Sequence, residues 1–299
     1  MSNVAEVVSV AEPGRVRFVG GGRASWYEVV AVLALVGWLY GPVLYHLVRQ
    51  WWTDPNFSHG FFVPLFSAWV LWQTRERLKR IRPEPSAWGF AVIVGALLVL
   101  ILGIFGAELF LSRVSLILLS MGLVIFFFGW GMLRAVIFPL LFLVLMVPIP
   151  AIVFSQITFP LQILASKLAG GTLPFCGVPV LREGNVINLP SMPLEVAEAC
   201  SGIRSLMSLA TLAIMYAYLA EKRNGVRILL ALASLPIAVA ANTIRIVGTG
   251  LIVQYWDPDK AEGFFHAFSG LLVFLFSLLM LVALHPALRL LARNREPMP

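Results

Sequence analysis

Cys200, Arg245 and His266 form a set of side chains able to break and remake an acyl bond. A thiolate is a strong nucleophile when its pKa is lowered or a base stands beside it. An imidazole titrates in the range needed to take a proton and give it back. A guanidinium stays charged and can hold an oxyanion where water is excluded. Together they could cleave an amide through a thioester and pass the acyl group to water or to an amine. The chain around the thiol reads Ala199-Cys200-Ser201-Gly202-Ile203-Arg204-Ser205, and small neighbours leave the sulfur open to a substrate. Arg204, four residues on, shares the helical face of Cys200, and Asn242, three before Arg245, faces the same way as that arginine.

Each residue alone has a plainer explanation. A free cysteine in an apolar segment is most often a small buried hydrophobe, and an arginine at a helix end often snorkels to the headgroups. Ser201 ranks second as a nucleophile, because it lacks a Gly-x-Ser-x-Gly elbow. His59, in Asn56-Phe57-Ser58-His59-Gly60, opens another apolar stretch and is a substrate-binding group or a rival base. His46 and His285 have no comparable partners. The only other cysteine is Cys176, and a Cys176–Cys200 bridge would remove the nucleophile. Two cysteines are too few for a disulfide framework, and their spacing is not that of a zinc site, so neither metal nor cofactor is expected.

What must position these residues is a set of membrane helices. The composition is 60% hydrophobic and 12% charged, against about 25% charged in a soluble domain. Eight apolar segments approach the roughly 20 residues a spanning helix needs, near 26–48, 57–73, 86–106, 112–130, 134–150, 200–220, 228–250 and 265–285. Residues 1–25 read as a disordered cytoplasmic tail, 26–285 as one polytopic domain and 286–299 as a basic tail. Segment 151–174 is apolar but interrupted by Pro160, Lys167 and two glycines. It is expected to lie in the outer interface or to be re-entrant. Valines, isoleucine and leucine then flank Arg182-Glu183-Gly184-Asn185, which reads as a short β-hairpin outside the membrane. The expected fold is therefore all-α and integral to the membrane, with about eight transmembrane helices and one short extracytoplasmic β-hairpin.

Orientation follows from basic residues, which accumulate in cytoplasmic loops. Arg15, Arg17 and Arg23, the Arg75–Arg82 cluster, Arg134, Lys222 with Arg223 and Arg227, and Arg289 to Arg295 all fall on one side of this arrangement. The excess of Lys and Arg thus reports orientation, with lipid as the partner and nucleic acid not expected. Both termini come out cytoplasmic. Cys200 then opens a span entering from outside, Arg245 ends one leaving toward it, and His266 opens the last. All three are expected at the outer level, although other residues set the topology.

The residues also resemble a known family. Val196-Ala197-Glu198-Ala199-Cys200-Ser201-Gly202-Ile203-Arg204-Ser205 is similar to the signature of the exosortase/archaeosortase family. Asn242-Thr243-Ile244-Arg245-Ile246, Phe265-His266-Ala267-Phe268-Ser269-Gly270 and the early stretch Trp52 to Gly60 resemble its other motifs, in order. The resemblance implies a membrane cysteine protease or transpeptidase of the bacterial inner membrane, with Cys200, Arg245 and His266 as its catalytic set. It implies substrates that are exported proteins ending in a sorting tail. Such a tail has a short motif such as Pro-Glu-Pro, one transmembrane helix and a basic cluster. Two rival classes remain at this level, a transporter and a non-catalytic assembly factor for exported polysaccharide. A transporter should place its polar residues near the midplane of repeated halves.

Overall fold

The computed structural model describes residues 16–17, 23–24, 26–196, 202–256 and 264–293. Side chains of 16–17, 23–24, 26, 28–29, 202–205, 264–269 and 292–293 are outside that description. The chain divides into two compact units, one of residues 1–50 with 64–147, the other of 51–63 with 148–299.

In the first unit, β1 (Val16–Arg17) and β2 (Arg23–Ala24) pair antiparallel within the expected tail. Helix α1 (Trp26–Thr53) follows, with its last three residues in the second unit. Helices α2 (Phe62–Gln73), α3 (Arg75–Lys79), α4 (Trp88–Phe105) and α5 (Leu109–Phe142) complete the unit. The expected span at 57–73 is therefore not a single α-helix. Its first residues form a tight 3-10 turn, and α2 has only 12 residues.

Helices α4 and α5 pack where glycine removes the side chain. A Cβ at Gly89 would collide with the Phe126 backbone, and one at Gly103 with Ser112. Apolar side chains gain little by leaving lipid for protein, so close backbone approach supplies the attraction. The segment Leu109–Met146 is helical over 38 residues, about 57 Å of helix, which exceeds one crossing. It is broken at Gly129, whose φ of 83° is the left-handed region open to glycine. The break separates the two spans expected at 112–130 and 134–150.

After the last residues of α1, the second unit has the 3-10 turn Pro55–Phe61 and continues with α6 (Ala151–Thr172), β3 (Leu181–Glu183), β4 (Val186–Asn188) and β5 (Pro193–Glu195). Helices α7 (Gly202–Ala220), α8 (Asn224–Tyr255) and α9 (Phe264–Arg293) follow. Helix α6 is continuous through Pro160. Its first turns reach the 3-10 turn, where the rings of Phe57 and Phe154 lie 5.9 Å apart. Beyond its end, Leu173 meets Gly250, and the Cys176 carbonyl accepts a hydrogen bond from the Tyr255 hydroxyl at 3.2 Å.

The expected hairpin is present as β3 and β4, with Glu183 opposite Val186 and Gly184 at φ 64° in the two-residue turn. Glycine at the first turn position suits such a hairpin. A third strand extends it, since β5 pairs with β4 through Ile187 and Leu194. Its Pro193 stands first in an edge strand, where a missing N–H costs no ladder bond. One face of this sheet buries Val178, Ile187, Leu189, Leu194 and Val196 against Ala165 and Ala169 of α6 and Ile246 and Val253 of α8. Among the described residues, six helices are long and apolar enough to cross a membrane. The chain is thus a mostly helical, multi-pass membrane protein with a small three-stranded sheet. Helix α6 is one of those six, so length and composition also permit it to cross.

Candidate active site

All seven residues singled out in the sequence belong to the second unit. Cys200 and Ser201 lie outside the described residues. Arg204 is in the first turn of α7 and His266 in the first turn of α9, both without a described side chain. Arg245, Asn242 and His59 are described in full.

Arg245 is buried in α8, with 5% of its surface exposed. Its guanidinium lies flat against α9, and a Cβ built on Gly270 would stand 3.7 Å from both Cζ and Nη2. Residues four apart share a helix face, so the face of α9 that Arg245 reaches is the one carrying His266. A Cβ there would be in ordinary van der Waals contact with the charge, so the position has room for the guanidinium as long as its side chain is small. One turn before Arg245, the Asn242 carbonyl oxygen is buried with no hydrogen-bond partner among the described residues. Most buried polar atoms are satisfied, and this one sits beside a cation at the same end of the helix.

The segment that precedes Cys200 is described as far as Val196. Strand β5 runs into Val196, which is fully buried and donates its N–H to the Asn185 carbonyl at 3.0 Å. Val196 and Ile246 belong to the same core cluster. One is four residues before Cys200 and the other is next to Arg245. The sheet therefore anchors both Val196 and the helix of the arginine.

His59 is buried, with 7% of its surface exposed, in the turn Pro55–Phe61, and that turn packs on α7. Asp54 caps the turn by accepting the Asn56 N–H at 2.9 Å, and Pro55 opens it, as side-chain caps and N1 prolines do. Gly60 lies so close to the buried Trp51 indole that a Cβ there would collide with it. The stretch Asp54 to Phe61 is thus a capped, tightly packed turn that buries His59 and packs on α7. Cys176 is an exposed free thiol.

One group that the sequence reading set aside has partners after all. His285 accepts or donates at both ring nitrogens, 2.9 Å from the Tyr216 hydroxyl and 3.3 Å from Glu221 Oε2. The Glu221 carboxylate also accepts the backbone N–H groups of Lys222 at 2.7 Å and Arg223 at 3.0 Å. The Arg223 N–H is the main cause that holds this carboxyl at about 2, below its ordinary 4.5. Burial opposes the shift, while Lys222, His285 and Arg289 add to it. The signal was hard to read because Tyr216 and Glu221 are separated from His285 by 69 and 64 residues. This network joins the opposite ends of α7 and α9 from those that carry Gly202 and His266, so it ties the helices without touching the candidate site.

No group of three or more His, Cys, Asp or Glu suited to a metal occurs among the described residues. No curated protein and no solved structure matches the chain. The sequence does match the family Transmembrane exosortase (Exosortase_EpsH) over residues 51–283. That stretch contains all four motifs and begins at Trp51, where the second unit begins. The chain belongs to the transmembrane exosortase family.

Proposed function

We propose that this exosortase is a cysteine-type transpeptidase or protease, and that Cys200, Arg245 and His266 act together on the C-terminal sorting tails that exosortases process. The Cys200 thiolate attacks the carbonyl carbon of the scissile amide. The oxygen becomes an oxyanion beside the Arg245 guanidinium. His266 gives a proton to the departing amine as the C–N bond breaks, leaving a thioester on the enzyme. Water or an amine then attacks the thioester and releases Cys200. Asn242 orients the site, and Arg204 and His59 bind substrate. Ser201 is the alternative nucleophile.

The observation that carries this reading is the packing of Arg245 against Gly270, one turn from His266. A charge buried in a membrane helix is costly and tends to be functional. Aiming it at a glycine beside a histidine is hard to explain as snorkelling. The same reading puts the site at the extracytoplasmic face of the bacterial inner membrane, with both termini inside. Both ends of α6 meet elements that the charge rule puts outside, the 3-10 turn after α1 and the end of α8. That favours α6 lying along the outer interface. A substrate helix held by its basic end inside would present its short motif, of the Pro-Glu-Pro kind, at that level.

The test is co-expression with an exported protein bearing such a tail. Cys200→Ala should leave the substrate uncleaved while the enzyme remains folded in the membrane. Full cleavage by that variant would move the nucleophile to Ser201 or end the thiol mechanism.

A further inference from the structure

The Glu221 end of the second unit carries a cleft that the proposed chemistry does not use. Its volume is about 660 Å³, and it lies where α7 turns into α8 beside the end of α9. Lys222, Arg223 and Arg289 line it, together with Pro286 and Leu290. The three cations are exposed, Arg289 at 71% of its side chain. The one acid there is held from several sides, since Glu221 accepts two backbone N–H groups, meets His285 and stands 3.9 Å from the Arg289 guanidinium. Arg227 braces the floor, donating to the Glu221 carbonyl at 2.7 Å and to the Tyr218 carbonyl at 3.1 Å. The cleft therefore offers net positive charge, three cations against one carboxylate that is already hydrogen-bonded and paired.

An apolar wall stands beside that charge. Leu219, Leu290 and Leu291 are 54%, 62% and 63% exposed on the helix ends that border the cleft. A free phosphate would use the cations and leave the leucines idle. A lipid would use both. Basic pockets between transmembrane helices hold anionic headgroups in this way. We propose that this cleft binds the phosphate of an anionic phospholipid, with the acyl chains against the leucines. The site is independent of the catalytic reading above.

The full-length protein is tested in bilayer discs of phosphatidylcholine mixed with phosphatidylglycerol. The phosphatidylglycerol retained after detergent washing is measured by mass spectrometry. The wild type should retain it in preference to phosphatidylcholine, and excess inorganic phosphate should not displace it. The triple variant Lys222→Gln, Arg223→Gln, Arg289→Gln should lose ~100-fold of that preference, from about 1 kcal/mol per basic residue near an anionic surface. If the triple variant fails to fold, Lys222→Gln and Arg289→Gln singly should each lose about fivefold on the same basis. The comparison triple Arg75→Gln, Arg77→Gln, Lys79→Gln in α3 should retain the lipid. Equal loss in that triple would overturn the proposal by making the effect one of general charge. So would displacement by phosphate, or unchanged retention when the cleft cations are removed.

Discussion

Enlarging Gly270 tests the position of the Arg245 charge without altering the arginine itself. A Cβ at this position would lie 3.7 Å from Cζ and Nη2 and 3.8 Å from Nη1. That is ordinary van der Waals contact, so Gly270→Ala should be accepted with the guanidinium in place. Alanine in a helix interior is favoured over glycine by about 1 kcal/mol, and the variant should be slightly more stable than wild type. Leucine differs. Its next carbon stands about 1.5 Å farther out, and where it points at the guanidinium only roughly 2 Å remains, far inside contact distance. The guanidinium must then leave its place. If it stabilises an oxyanion, the loss should be that of one oxyanion donor, about 3–4 kcal/mol or roughly a hundred- to a thousandfold in rate. The assay is tail cleavage at equal membrane expression, with size-exclusion in detergent to show that the fold is kept. Arg245→Ala should lose a similar factor. The double variant should lose little more than either single one, because both remove the same interaction. Normal cleavage by Gly270→Leu, or fully additive losses in the double variant, would refute the role given to Arg245.

Three other outcomes follow from the geometry. Gly60→Ala should collide with the buried Trp51 indole, displace the His59 turn and impair cleavage, measured alongside thermal stability. Glu221 is held at about 2 against its ordinary 4.5. A carboxyl with a lowered folded pKa contributes stability above the unfolded value, and that stability is lost as pH falls through the folded one. The melting-temperature advantage of wild type over Glu221→Gln should therefore be full at neutral pH and shrink from about pH 4.5 toward 2, and an advantage independent of pH would contradict this. Reporter fusions after Arg82 and after Glu183 should report opposite compartments, and two cytoplasmic reports would sink the outward-facing site.

The parts of this molecule legible in its sequence are those set by apolar length or by local turn chemistry. Long hydrophobic runs announced most of the helices, and the Gly184 turn announced β3 and β4. Strand β5 was missed because only Leu194 in it faces the core and its first residue is a proline. The run 57–73 looked like one span because Asp54-Pro55 starts a 3-10 turn as readily as an α-helix. Composition alone does not register the change at Phe62. Segment 151–174 is expected in the outer interface or as a re-entrant stretch, because spanning would upset the charge rule for everything after it. It forms one helix, α6, whose length and composition permit crossing. The candidates Cys200, Arg245 and His266 come from topology and motif together, and of the three only the Arg245 side chain is described. The Tyr216–His285–Glu221 network could not be read in the sequence, since hydrogen bonds across two helices leave no periodic trace. Nor could the pairing of Arg245 with Gly270, because a missing Cβ has meaning only once the facing helix is known.

The central claim is that an acyl group passes through the Cys200 sulfur, and mass spectrometry of the enzyme stalled on a tail substrate tests it most directly. Wild-type protein is mixed with substrate, without an amine acceptor, and quenched in acid. The account predicts an adduct on the peptide containing Cys200 that neutral hydroxylamine removes, as it does a thioester. The adduct should be absent in Cys200→Ala and unaffected in Cys176→Ala. Tail cleavage by Cys200→Ala, or an adduct on Ser201 or Cys176 in its place, would contradict it.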